Sequence, residues 1–270
     1  MYRIIKVLNN NGVLVFEDGS ATEMIFLGNG VGFGRKPGER VRSLPAAKQY
    51  ELVTAKATAL QQVNEIDPIY IEAAGRIIEE AEKSMGPLSG DILIPMADHI
   101  ALAVGRAKKN QELLNPFLKD IEILFGREYS AALRGSRILE EMTGVLVCDD
   151  EVGYITLHIH SGLSEENVAE SLETARLVQD CIHQIEEGVK RKLAPDSLAY
   201  NRLASHLRYM IARMRKEERA SLDLDEYART TFPESYELAK VICRNTERQL
   251  KLKAAKEEVG YLAIHIQRVR

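Results

Sequence analysis

Four histidines of this 270-residue chain fall into two pairs with one spacing. His99 and His158 are each followed, 107 residues later, by His206 and His265. A neutral imidazole can act as a nucleophile or proton acceptor, can ligate a metal, or can be a satisfied core residue. Met96, His99, Ile100 and Ala103 follow the i, i+3, i+4, i+7 spacing of one helical face. Leu203, His206, Leu207 and Met210 repeat it. Each of these two histidines therefore sits on an apolar stripe, where core histidines are also common. A metal would use Asp98 and His99 with His158 and His160. The second copy has Ser205 and Gln267 in place of Asp98 and His160, so half of that ligand set is missing there. No phosphate-binding loop, G-x-S-x-G or H-E-x-x-H motif accompanies the histidines. The chain does not read as an enzyme, and no cofactor or metal is expected.

The elements that must hold these histidines are themselves repeated. EVGYITLHIH (151–160) returns as EVGYLAIHIQ (258–267), and ADHIALAVGR (97–106) aligns without a gap with ASHLRYMIAR (204–213). Phe125 and Tyr129 match Phe232 and Tyr236 at the same offset. One offset that keeps several separated matches in register marks an internal duplication. Alanine, glutamate, lysine and leucine dominate this part of the chain, and helices are predicted over 70–84, 89–109, 170–192 and 195–216. Pro95 is a possible break in the second of these. Residues 154–159 stay ambiguous, because they alternate like a strand while Tyr154 and His158 also share a helical face. Two homologous all-α helical-bundle domains are expected, over 60–166 and 167–270.

The first 43 residues read differently. Strands are predicted at 3–8, 13–16 and 23–27, joined by turns at Asn9-Asn10-Asn11-Gly12 and Asp18-Gly19. Gly28-Asn29-Gly30-Val31-Gly32-Phe33-Gly34-Arg35 then packs four glycines into eight residues, which permits unusual backbone angles or a close partner. A small antiparallel β-sheet domain is therefore expected over 1–56, with the composition changing after Leu44-Pro45. So small a sheet is not secure alone and is expected to pair with a second copy. Residues 1–43 hold six basic and four acidic side chains, a net +2, which leaves −6 on the remainder of a chain of net −4. A basic head on an acidic body is a weak sign of a polyanion partner.

The three cysteines, Cys148, Cys181 and Cys243, are widely spaced and odd in number. That argues against a disulfide framework and suits a reducing cytoplasm. The sequence has no signal-peptide core and no apolar run near the roughly 18 residues that cross a bilayer.

Taken together, these residues resemble the BglG/LicT-type transcriptional antiterminators, which join a co-antiterminator RNA-binding domain to two PTS-regulation domains (PRDs). The head carries the resemblance in Lys6-Val7-Leu8-Asn9-Asn10-Asn11 and in Gly28-Asn29-Gly30-Val31-Gly32-Phe33. The first repeat carries it in Asp98-His99-Ile100, Asn115-Pro116-Phe117 and residues 153–159, and the second in His206-Leu207-Arg208 and residues 260–266. Gly32-Phe33-Gly34 with Leu157-His158-Ile159-His160 looks most like the glucose-responsive branch.

The resemblance implies a cytoplasmic homodimer that binds an RNA hairpin in a nascent leader transcript and prevents a terminator from forming. It implies control by phosphorylation of His99, His158, His206 and His265, with the phosphocarrier HPr and a sugar permease as donors. It implies RNA contacts from Lys6, Asn9, Asn10, Asn11, Gly28, Asn29, Gly30 and Phe33. Asn29 departs from relatives with a basic residue there. His160 and His183 have no general counterpart and read as structural. Arg106 and Arg213, seven residues beyond a histidine on the same helix, are either phosphate partners or ordinary exposed arginines. Two other readings compete: a PRD-containing DNA-binding sugar regulator, and a metal-dependent helical hydrolase built on Asp98, His99 and His158.

Overall fold

In this computed structural model the asparagine-rich turn closes the first hairpin of an antiparallel sheet. The structure describes residues 1–20, 22–44, 47–52, 59–111, 113–195, 197–220 and 223–270. The strands are β1 (Tyr2–Asn9), β2 (Gly12–Glu17), β3 (Thr22–Leu27), β4 (Arg40–Val41) and β5 (Lys48–Glu51), in the order β4-β1-β2-β3-β5. Asn9 faces Gly12 across the turn, and Val13 faces Phe26 on the next strand. The three longest strands match the expected ones, and β4 and β5 add to them. The expected head boundary at residue 56 and the Pro45 of the composition change lie outside the described residues.

Strand β2 is buried on both faces, so two layers must cover it. One face packs Ile4, Val13, Val15, Met24 and Phe26 against Val31, Val41 and Leu44 from the following segment. The other carries Leu14, Ile25 and Tyr50, all essentially inaccessible to solvent. It lies against helix α2 (Pro68–Met85), where the Tyr50 hydroxyl reaches the Gly75 carbonyl at 3.5 Å. A Cβ on Gly75 would stand 2.4 Å from a Leu27 methyl, so glycine is what lets the helix come this close. The sheet, expected to need a second copy for cover, thus has both faces of β2 covered by segments of its own chain.

The rest is helical: α1 (Ala59–Glu65), α2, α3 (Leu93–Lys108), α4 (Leu118–Leu124), α5 (Gly126–Thr143), α6 (Asp149–Leu163), α7 (Val168–Val189), α8 (Leu198–Lys216), α9 (Asp225–Thr231), α10 (Pro233–Leu250) and α11 (Glu257–Val269). Adding the repeat offset of 107 to the bounds of α4 and α5 gives those of α9 and α10. Pro95 falls in the first turn of α3, where an amide N–H has no helical partner, so it starts the helix rather than breaking it. The ambiguous 154–159 stretch is helix, inside α6.

Packing divides the chain into two compact units. One holds residues 1–115 and 127–168, the other residues 116–126 and 169–270. In the first, α3 packs on α2 and α6. In the second, α11 packs on α8, α9 and α10, and α4 packs on α8, where the Tyr200 hydroxyl donates to buried Asp120 at 2.8 Å. No helix among the described residues is long and apolar enough to cross a membrane. The head up to Leu44 contains no helix among its described residues, whereas a DNA-binding reading calls for a helix-turn-helix.

Candidate functional site

Helices α3 and α6 bring the first histidine pair together. The His99 and His158 rings lie 5.4 Å apart between centroids, and Tyr154, one turn before His158, is 5.6 Å from His99. Around His99 the face is apolar as expected: Met96, Ile100 and Ala103 are buried. Helices α8 and α11 repeat the arrangement more tightly. His206 stacks on His265 at 4.2 Å and on Tyr261 at 5.4 Å.

Beside each pair sits a buried carboxylate clamped by an arginine. Arg106 donates to Glu151 through Nε at 2.7 Å and Nη2 at 3.0 Å. Arg213 donates to Glu258 at 2.6 and 2.7 Å. Glu151 is 3% exposed and Glu258 is 1% exposed, burial that a carboxylate tolerates only when paired. Two parallel bonds from a planar guanidinium are the strongest such pairing available. Arg106 and Arg213 are therefore neither free phosphate partners nor ordinary surface arginines, because in this state each is committed to a glutamate. The glutamates went unassigned in the sequence, although each is the first letter of the repeated EVGY.

The first copy carries a further contact. The His99 Nε2 atom lies 3.1 Å from Glu151 Oε2, within ion-pair range but out of line for a hydrogen bond. Burial alone would raise the Glu151 carboxyl, but His99 and Arg106 more than offset it and hold it below the usual range. In the second copy no described group bonds His206 Nε2.

Three of the four rings are held below the usual imidazole range. Burial first, and then the neighbouring His99, pushes His158 down to about 3. Burial, then His265 and Arg213, pushes His206 to about 3 as well. His265 is lowered by burial and by Arg268. A neutral imidazole keeps a lone pair on one ring nitrogen, which a nucleophile needs and an imidazolium lacks. His158 Nδ1 and His206 Nε2 are buried and have no hydrogen-bond partner among the described residues.

The other two histidines differ in kind. His160 Nδ1 lies 3.0 Å from Glu128, and exposed His183 sits 3.3 Å from Glu187 on its own helix. Asp98 is exposed, and among the described residues no three His, Cys, Asp or Glu side chains converge as a metal would require. The ligand set of the hydrolase reading is therefore not assembled.

Of the residues singled out in the head, the asparagines and the glycine loop gather at one end of the sheet, and Lys6 lies within β1. Asn9 Oδ1 accepts from the Asn11 amide at 2.8 Å, an Asx turn that shapes the hairpin. Asn11 Oδ1 accepts from the Gly30 N–H at 3.0 Å, and the Asn10 carbonyl accepts from Gly32 at 2.9 Å. The asparagine turn and the glycine loop are thus stitched into one surface across a separation of 19 residues between Asn11 and Gly30. A Cβ on Gly32 would stand 2.0 Å from the Asn9 carbonyl oxygen, so only glycine permits this approach. Gly30 adopts φ of 72°. Phe33 is 72% exposed, so it is not a core aromatic. Lys6, Asn9 and Asn11 also bond to the helical segment that follows, with Lys6 Nζ donating to Asn64 Oδ1 at 2.8 Å.

Comparison with known proteins matches this division of labour. Residues 2–58 match the CAT RNA binding domain model, and residues 75–162 and 179–269 match the PRD domain model. The chain is 28% identical over 274 residues to the "GlcA/glcB genes antiterminator" of Staphylococcus carnosus (strain TM300), covering 98% of this chain and 94% of that protein. It is 27% identical over 276 residues to "Transcription antiterminator LicT" of Bacillus subtilis (strain 168), covering 99% and 98% respectively. A solved structure described as GlcT CAT-PRDI superposes with a TM-score of 0.52 at 27% identity, over 60% of this chain and 98% of that one. The chain belongs to the PRD family, with a CAT RNA binding domain at its head, and it resembles the glucose-responsive GlcT branch.

Proposed function

We propose that this PRD protein is a transcriptional antiterminator: as a homodimer it binds an RNA hairpin in a nascent leader transcript and keeps an overlapping terminator from forming. The reading rests on one co-occurrence. A head with an exposed aromatic and an asparagine–glycine surface precedes two copies of a close histidine pair. RNA loops and bulges are recognised by stacking and by hydrogen bonds to base edges. Phe33 offers the stacking face, while Lys6, Asn9, Asn10, Asn11, Gly28, Asn29 and Gly30 offer donors, acceptors and close backbone approach.

The working division is a head over residues 1–56, a first PRD over 60–166 and a second over 167–270. His99, His158, His206 and His265 are the phosphoryl acceptors, supplied by HPr and a sugar permease of the phosphotransferase system. The protein works in the cytoplasm as a regulator, not an enzyme, and needs no cofactor. A phosphoryl group adds roughly −1.5 to −2 charge to an apolar face. Arg106 and Arg213 lie on the same helices as His99 and His206, and each is held by a glutamate. Phosphorylation therefore sets the new anion against Glu151 or Glu258 for one guanidinium. Such a contest converts a local charge into a change of packing.

The test is read-through transcription in vitro on a template whose leader hairpin overlaps a terminator. The purified protein is expected to raise read-through and to lose that effect when phosphorylated on the first histidine pair. Unchanged termination on every terminator-overlapping leader tried would reject the reading.

A further inference from the structure

The head surface assigned to RNA is already occupied by a side chain of this protein. Helix α2 starts at Pro68, with Asp67 capping it through a 3.0 Å bond from the Ile69 N–H. One turn in, Glu72 projects onto the sheet end. Its Oε2 accepts from Asn9 Nδ2 at 2.8 Å, and its Oε1 accepts from Asn11 Nδ2 at 3.0 Å. Arg76, one turn later, donates to Oε1 at 2.8 Å and holds the carboxylate in place. The adjoining cleft is lined by Asn11, Gly28, Asn29, Glu72, Arg76 and Glu79.

The chemistry of the contact is that of an anion site. A carboxylate and an RNA phosphodiester each carry one negative charge on two acceptor oxygens. Two amide NH2 groups held side by side by the hairpin fit either. Glu79 lies seven residues beyond Glu72, on the same helix face and in the same cleft. A polyanion approaching Asn29 would meet both carboxylates.

We propose that Glu72 is an internal competitor for RNA, and that α2 must release Asn9 and Asn11 before the head takes a hairpin. This rests on the RNA-binding reading above and assigns a regulation to that same surface. It also gives the histidine bundle a lever on the head. Helix α2 packs on α3, the helix that carries His99. A shift of α3 then reaches the two asparagines through one rigid helix. The sheet, α2 and α3 belong to one compact unit, so the route runs through continuous packing.

The test uses the full-length protein and fluorescence anisotropy against a panel of bulged RNA hairpins from terminator-overlapping leaders. The variants are Glu72→Gln, Glu72→Ala and Glu141→Gln. The last removes the same unit of charge from an exposed position on α5. Releasing two charge-assisted hydrogen bonds is expected to raise affinity roughly tenfold or more for both Glu72 variants. Glu141→Gln is expected to stay within about twofold, since exposed charges away from the site are weakly felt. Circular dichroism melts confirm that each variant is folded, and either Glu72 variant alone decides the matter. Binding by the unmodified protein with no gain at position 72 would overturn the internal competitor and leave the RNA reading standing. Binding by the Glu72 variants alone would support both. No binding by any chain to any hairpin would end the RNA reading and this proposal with it.

Discussion

Acid is expected to destabilise this protein in part through a single ring, His206. That imidazole is held at about 3 by burial, and then by His265 and Arg213. In the unfolded chain it returns to about 6.5. Between those values the unfolded chain binds a proton that the folded chain refuses. Stability is therefore lost as pH falls from about 6.5 toward 3. At pH 5.0 the unfolded ring is about 1.5 units below its pKa, which makes the loss about 2 kcal/mol, against almost nothing at pH 7.5. The perturbation is His206→Gln, which removes the titration. Urea melts of the variant and the unmodified protein, followed by circular dichroism at pH 7.5 and 5.0, give four unfolding free energies. The drop between the two pH values should be smaller in the variant by about 2 kcal/mol. The packing cost of the substitution cancels, because it is present at both pH values. Equal drops within about 0.5 kcal/mol, the usual scatter of such comparisons, would refute the reasoning. The folded ring would then take up its proton as readily as the unfolded one.

The second repeat should also show the worth of its arginine clamp. Arg213→Ala strands the buried Glu258 carboxylate and should cost about 3–5 kcal/mol, read as a lower urea midpoint, with most of it recovered in Arg213→Ala/Glu258→Leu. A double variant no more stable than the single one would show that the stranded charge is not the cause. In the head, Phe33→Ala should weaken hairpin binding by about 1–3 kcal/mol while leaving the melting curve unchanged, because the ring is exposed. A lower melting temperature would make it a packing residue after all. Asn29→Arg should tighten hairpin binding and steepen the dependence of log affinity on log salt by about 0.7–0.9 for one added phosphate contact. An unchanged slope would turn position 29 away from the RNA.

Much of this architecture could be read from local pattern. The hairpin around Asn9–Gly12 follows from turn chemistry, and the stripe holding His99 follows from helical periodicity. The duplication came from one offset, and α4 and α5 return at that offset as α9 and α10. Harder cases have physical causes. Residues 154–159 of α6 stayed ambiguous between strand and helix because the helix is buried nearly all round: Val152, Ile155, Thr156, Leu157, His158 and Ile159 are all inside, so no polar face marks the helical period. Strand β4 has two residues and β5 four, and both exist only through pairing with distant strands. The two arginines were visible, but not what they hold. Glu151 lies 45 positions from Arg106, and Glu258 the same distance from Arg213. Glu72 is one glutamate among many on an ordinary helix, and only the fold brings it to Asn9 and Asn11.

The central claim is that the two histidine pairs are where phosphoryl groups enter. The most direct measurement is peptide mapping by mass spectrometry, at a pH that preserves phosphohistidine. The purified protein is first treated with HPr charged from phosphoenolpyruvate and with the soluble phosphoryl-donor domain of a sugar permease. Phosphoryl groups are predicted on His99 or His158 in the first PRD and on His206 or His265 in the second. Label confined to His160 or His183, or absent from all four paired histidines under both donors, would contradict the account and return those rings to the core.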